Sequence, residues 1–495
     1  MPTQQTVSTP LMIGISGVRG IVGKSFTPEL ALRFATAFGT LVQTPSFPLG
    51  RSPNGRASPI GGATAFSGVP PKAVRTKGEV GKIVVGLDSR PSGEMIKSAV
   101  IAGLTSVGCE VVDLGIVPTP TVQIMVEDLK ADGGIVITAS HNPIEWNAFK
   151  FIGPGGAFLN AEEGRRLLEI YQRGKFKYVP WDKIGKTTMD DSAIDRHICR
   201  ILAFKYLSVQ KIRQQKFKVV IDCNYGAAGE LFFPLLNRLE CRIIAIGLEP
   251  TGQFSRLPEP VAKNLSELCE TVQRERAAIG FATDADGDRL SIVSDKGIAL
   301  GEEYTLALAT RYILSKVQGT VVTNLSTTRM IDDIALESGV KVIRTRVGEA
   351  NVVQQMQKEK AVIGGEGNGG VILPEVHYGR DGAVAMALVL QLITDSKKTI
   401  SELAKGFPKY YMIKRTLIVK NVAGFFKKIE KKFFPAEVDH TEGIKLNMSE
   451  AWIHLRASGT EPILRLIIEA KTKERLQEIH REITTIAHGA DTVIC

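Results

Sequence analysis

Four short runs rich in β-branched residues, KIVVGLD (82–88), GGIVITA (133–139), FKVVIDC (217–223) and GTVVTNL (319–325), alternate along the chain with segments of helical periodicity. Runs that are apolar at successive positions suit strands covered on both faces, so the pattern predicts an α/β fold with largely buried strands. Three of the runs, beginning near Lys82, Phe217 and Gly319, each read as the opening strand of a new α/β unit and hint at a repeated domain. Two helices are marked by their ends. Thr27 can cap and Pro28 suits the first turn of a helix with Leu30, Phe34 and Phe38 on one face, and Asn160 with Glu163 forms a capping box ahead of Leu167 and Leu168.

A chain of 495 residues sets a prior of about three domains, and 44% hydrophobic content supplies their cores. The start, MPTQQTVSTPLMIGIS, lacks a basic segment followed by an apolar core, and no charge-free run reaches membrane-spanning length. A cytoplasmic location without membrane partners is expected. Six cysteines occur without a C-x-x-C pair, which suggests neither a zinc site nor a disulfide framework. The net charge of +10 suits nucleic acid, an anionic small molecule or simply a soluble basic surface. Residues 44–78, rich in Pro, Gly, Ser and Ala with five basic and no acidic residues, read as a mobile basic insertion. A surface loop accounts for it, with docking to an acidic partner or nucleic acid as the alternative. No aromatic stacking pattern accompanies the charge, so no nucleic-acid partner is expected.

Four segments carry chemistry. In TASHNPIEWNAFKF, Ser140 follows an apolar strand and can project its hydroxyl into a cleft; glycines do not flank it, so the serine-hydrolase elbow does not apply. In DADGDR, Asp284, Asp286 and Asp288 alternate between two apolar runs and make a hard-cation site. An EF-hand would need Gly where Arg289 stands and Glu where Asp295 stands, so magnesium is favoured over calcium. RASGTEP offers Arg456, Ser458, Gly459 and Thr460 to a phosphate, and a Walker loop is excluded because Pro462 and a strand-like run follow. In GGEGNGGVILP, glycines admit a ligand to the backbone, and Glu366 and Asn368 can bond hydroxyl groups. Taken singly, each segment has a plain reading as a turn, a cap or a solvated acidic loop.

Together and in this order, the four segments resemble those of the α-D-phosphohexomutase superfamily, which includes phosphoglucomutases, phosphomannomutases and phosphoglucosamine mutases. TASHNP resembles the phosphoserine loop, DADGDR the metal loop, GGEGNGG the sugar-recognition loop and RASGTEP the phosphate-binding loop, while GISGVRG resembles an opening motif with an active-site arginine, here Arg19. The resemblance implies four domains around a central cleft, three related α/β mixed-sheet domains and a smaller C-terminal α+β domain. Placed on this sequence they cover 1–185, 186–297, 298–410 and 411–495.

The implied activity interconverts hexose 1- and 6-phosphates through phosphoserine 140, with a hexose 1,6-bisphosphate as intermediate and activator. It further implies Mg2+ on Ser140, Asp284, Asp286 and Asp288; Lys150 as acid/base; Arg19, His141 and Arg289 as helpers; Glu366 and Asn368 on the sugar; and Arg456, Ser458, Gly459, Thr460 and Arg465 on its phosphate. A monomer or homodimer acting on small sugar phosphates is expected, with a hinge near residue 410. GGEGNGG looks closest to phosphoglucosamine mutase-like members, with phosphoglucomutase/phosphomannomutase as the alternative. A phosphatase and a catalytically degenerate sugar-phosphate sensor are readings of other classes. Gly370 stands where phosphomannomutase/phosphoglucomutase members carry a sugar-loop histidine, and His377 is nearby in sequence.

Overall fold

The structure is a computed structural model describing residues 11–14, 17–44, 80–457, 463–488 and 493–494. Apart from Thr44, the basic insertion lies outside the described residues, as do Ser458, Gly459 and Thr460. Each opening run becomes a central strand with the same neighbours. Lys82–Leu87 lies between Glu110–Ile116 and Gly133–Ile137, parallel to both, and Gly133–Ile137 pairs antiparallel with Trp146–Ile152. Lys218–Asp222 sits likewise between Arg242–Ile246 and Ile279–Thr283, with Leu290–Ser294 antiparallel beyond. Val321–Asn324 repeats the pattern with Val342–Thr345, Ile363–Glu366 and Gly370–Ile372. The central strands are apolar and buried over 83–87, 219–221 and 321–322, as strands covered on both faces of a sheet must be.

The repetition fixes where chemistry can occur. In every unit the chain reverses between the third strand and the antiparallel fourth, and these three reversals hold Ser140, Asp284 to Asp288, and Glu366 to Gly370. The first sheet grows to seven strands by adding Met12–Gly14 and Gly17–Ile21 at one edge and Thr187–Met189 at the other. The last addition carries the first unit past the expected boundary at 185; all three of its residues are exposed, so no apolar pattern announced it.

The second and third units share one apolar core, in which Phe232, Leu290, Leu306 and Val384 are buried together. The C-terminal unit has its own core around Phe425, Ile453 and Leu466, on a six-stranded sheet in which Tyr411–Ile418 and Ala451–Ala457 flank Leu464–Ala470 antiparallel. It meets the third unit through polar contacts, including Lys445 Nζ on the Leu325 carbonyl (2.7 Å) and Ser326 Oγ on His454 Nδ1 (2.9 Å). Both marked helices form: Thr27 Oγ1 accepts from the Leu30 N–H, and Asn160 and Glu163 complete the capping box. Among the described residues no helix is long and apolar enough to cross a membrane.

Candidate active site

Ser140 begins the first reversal with φ 49°, a left-handed conformation that disfavours a residue with a Cβ by roughly 1–2 kcal/mol. The surroundings hold it there. Its N–H donates to Thr138 Oγ1 (2.9 Å), and the buried Arg90 guanidinium donates to the carbonyls of Ser140 (2.8 Å), Asn142 (2.6 Å), Pro143 (2.5 Å) and Trp146 (3.0 Å). Arg90 Nε is fixed by Asp88 (3.0 Å), which also accepts from Thr138 Oγ1 (2.7 Å). The sequence reading missed Asp88, Arg90 and Thr138. The available signal was a pair of opposite charges directly at the end of an apolar strand.

The second reversal brings Asp284, Asp286 and Asp288 together, all fully buried, with a carboxylate oxygen of each within 4.8 Å of the others. Ser140 Oγ donates to Asp284 (2.6 Å), which joins the loops of the first two units. Thr119 Oγ1 (2.5 Å) and Lys150 Nζ (2.6 Å) donate to Asp286 Oδ2, and Lys150 (2.8 Å) and Arg380 (2.7 Å) to Asp288 Oδ2. The other oxygens of Asp286 and Asp288 are buried without a hydrogen-bond partner among the described residues. Burial and the two neighbouring carboxylates push the Asp284 carboxyl well above its ordinary range. Orphaned buried carboxylate oxygens in a mutually repelling set are what a bound cation would satisfy, so the triad can hold a metal ion.

Cations ring the triad. Burial alone would depress the Lys150 ammonium, but Asp286 and Asp288 outweigh it and raise it. Arg289 Nε lies 3.7 Å from Asp284 and 3.8 Å from Asp288. His141 Nδ1 is 3.5 Å from Ser140 Oγ, and nearby Arg289, burial and Arg19 lower its imidazole well below its usual range. Arg19, on the strand Gly17–Ile21, directs Nη1 towards Asn142 Oδ1 (3.4 Å) in the turn after Ser140.

In the third reversal Glu366 accepts from Asn324 Nδ2 (2.8 Å), the Gly348 N–H (2.9 Å) and Arg380 Nη1 (2.8 Å). Despite complete burial, the Arg380 charge and these donors hold its carboxyl below the usual range. Asn368 Oδ1 accepts from the Gly370 N–H (3.2 Å). His377 does not enter this loop: it is buried, with Nε2 on Asp381 Oδ2 (3.0 Å). Arg380 and Glu349 escaped the sequence reading, since a single Arg before an apolar helix looks like an ordinary helix-end charge.

On the C-terminal sheet Arg456 and Arg465 stand directly opposite each other on adjacent strands. Like charges in that register are destabilising unless an anion joins them. Arg456 is lowered by burial and by Arg465, with Glu442 at 3.7 Å opposing. Ser458, Gly459 and Thr460, between these strands in the sequence, lie outside the described residues, so those three sites stay expectations.

Comparison with known proteins places this geometry. The phosphoglucomutase/phosphomannomutase alpha/beta/alpha domains I, II and III match residues 67–178, 195–297 and 301–411, and the C-terminal domain of the same family matches 414–486. A phosphoglucomutase/phosphomannomutase of Thermococcus kodakarensis is 37% identical over 94% of this chain and 96% of its own length. A protein of that organism named "Probable phosphoglucosamine mutase" is 35% identical over the same shares. The crystal structure of a phosphoglucomutase/phosphomannomutase family protein from Burkholderia thailandensis superposes with a TM-score of 0.80 at 25% identity, covering 99% of this chain and 98% of that one. Four domains in one order and relatives of equal length leave a single reading: the chain belongs to the phosphoglucomutase/phosphomannomutase family of the α-D-phosphohexomutase superfamily and is a phosphohexomutase.

Proposed function

We propose that the chain interconverts the 1- and 6-phosphates of glucosamine through phosphoserine 140, with Mg2+ on the aspartate triad. The observation that carries the chemistry is the 2.6 Å contact between Ser140 Oγ and Asp284, made between loops of two different domains. For the sugar, the support is the run of full-length relatives named "Probable phosphoglucosamine mutase", 33% to 35% identical to this chain. Glucose and mannose phosphates form the second reading, favoured by the 37% identical relative named for them.

In this scheme the sugar's own phosphate binds to Arg456, Arg465, Ser458, Gly459 and Thr460, while Glu366 and Asn368 take ring hydroxyls. The free hydroxyl attacks the phosphorus carried by Ser140; the new P–O bond forms to the sugar as the bond to Ser140 Oγ breaks. Magnesium, when bound, supplies positive charge where the phosphoryl oxygens become most negative. The hydroxyl proton is lost and Ser140 Oγ regains one, with Lys150 as the candidate for transfer and Arg19, His141 and Arg289 as orienting charges. The bisphosphate then turns end for end, its other phosphate returns to Ser140, and the isomeric monophosphate leaves. Burial of Ser140 guards the phosphoserine from water.

Phosphorus NMR of the protein with Mg2+, a trace of hexose 1,6-bisphosphate and the monophosphates of glucosamine, glucose and mannose tests the reading. Preferential conversion of glucosamine phosphate supports it, preferential conversion of glucose or mannose phosphate selects the second reading, and binding without turnover would leave a sensor.

A further inference from the structure

Gly370 has no side chain, yet the space beside it is filled. A Cβ built there would lie 2.2 Å from Arg380 Cδ and 2.9 Å from its Cγ, because Arg380 bridges back onto the strand Gly370–Ile372 and lays its methylenes across position 370. Beyond Gly370 the guanidinium spreads over three carboxylates from two different units: Nε to Glu349 (2.9 Å), Nη1 to Glu366 (2.8 Å) and Nη2 to Asp288 (2.7 Å). One side chain therefore joins the third reversal to the second.

The backbone that carries Arg380 is anchored from three units. The next residue, Asp381, caps the helix Gly382–Ser396 through Oδ1, while its Oδ2 meets His197 Nε2 (2.7 Å) and His377 Nε2 (3.0 Å). Thr121 of the first unit holds the far nitrogen of His197 (2.9 Å). On the other side, a Cβ at Gly379 would strike Gln123, whose Nε2 donates to Glu349 (3.1 Å). A planar fork on such a mount has little freedom to follow a ligand, so it fixes the carboxylates it touches.

We propose that Arg380 is a specificity-determining and positioning residue of the mutase. It occupies the side-chain space of position 370 and orients Glu366 for the sugar while tying it to Asp288 of the metal loop. A guanidinium only donates and does not exchange protons near neutral pH, so Arg380 selects and aligns the sugar and leaves proton transfer to other groups. Lysine cannot replace it, because one ammonium does not reach three carboxylates spread around a planar fork. The proposal rests on the mutase reading, and wild-type conversion of a sugar phosphate is measured first so that the two can fail separately.

The test compares kcat and KM of wild type, Arg380→Lys, Gly370→Ala and the double variant Gly370→Ala/Arg380→Lys with glucosamine, glucose and mannose 1-phosphates. Arg380→Lys is expected to raise KM by roughly 10-fold or more and to shift the ratio of kcat/KM among the three sugars by about 5-fold, the scale of one misaligned polar contact. Gly370→Ala removes no charge, so it remains informative if Arg380→Lys fails to fold. Its Cβ displaces the arginine stem and should produce the same KM rise and the same shift in ratio, whereas adding it to Arg380→Lys should do little more. Unchanged KM values, or an equal fall in kcat on all three sugars with KM and the ratio preserved, would overturn the proposal. Failure of the wild type to convert any of them would instead overturn the mutase reading.

Discussion

Arg90→Lys isolates the positioning of Ser140 from its proposed chemistry. The Arg90 guanidinium donates five hydrogen bonds, four to carbonyls between Ser140 and Trp146 and one to Asp88, and Ser140 depends on that segment for its left-handed backbone. A lysine ammonium has three donors on one nitrogen, so at least two contacts are lost. Hydrogen bonds from a charged donor contribute about 1.5–3 kcal/mol each; with part of the loss recovered by relaxation and water, the turn should be weakened by about 3 kcal/mol. Displacing a reacting atom by roughly 1 Å costs on the order of 10²-fold in rate, so kcat should fall about 100-fold with KM little changed. Steady-state mutase kinetics give the first number, and hydrogen exchange of the amides from 138 to 147 shows whether protection falls there. A variant with kcat within about 2-fold of wild type, despite lost protection in the turn, would refute the link between the Arg90 clasp and the placement of Ser140.

Other consequences are equally direct. Ser140→Ala should abolish phosphoryl turnover and leave the circular dichroism spectrum unchanged; wild-type-like activity would defeat the phosphoserine scheme. Added Mg2+ should raise the thermal unfolding midpoint of the wild type and not that of Asp286→Asn, since a ligand bound only by the folded state stabilises it; equal shifts would place the ion elsewhere. Glu303, packed against Gly367 of the third reversal, is pushed up to about 7 by burial, with Lys414 opposing and Glu302 reinforcing. Because its folded value exceeds the unfolded one, its contribution is full below about pH 4.5 and is lost as pH rises through 7, on the order of 3 kcal/mol. Glu303→Gln should therefore flatten the stability curve between those values in urea unfolding, and a slope equal to that of wild type would reject the assignment.

Much of this protein was legible in its sequence because strand runs, turn glycines and clustered acids act locally. Buried parallel strands need apolar residues on both faces, which marked Lys82, Phe217 and Gly319 as the starts of repeating units. Ser140, the aspartates and Glu366 stood out because each sits in a turn following an apolar run. The strand Thr187–Met189 was not legible, since an exposed edge strand buries nothing and carries no pattern.

Which distant groups meet is settled only when the domains pack. The contact of Ser140 with Asp284 spans 144 residues, and that of Arg380 with Asp288 spans 92. The clasp of Arg90 on the turn of Ser140 and the filling of the Gly370 space by Arg380 are likewise set by strand order and domain packing. Local sequence encodes backbone conformation and burial through periodicity, but the partners of a buried charge are chosen where sheets from different units converge. In this chain, sequence alone determined the kinds of chemistry available and the turns that carry them. Folding determined their mutual geometry, because a charge can remain buried only where another part of the chain brings its counter-charge.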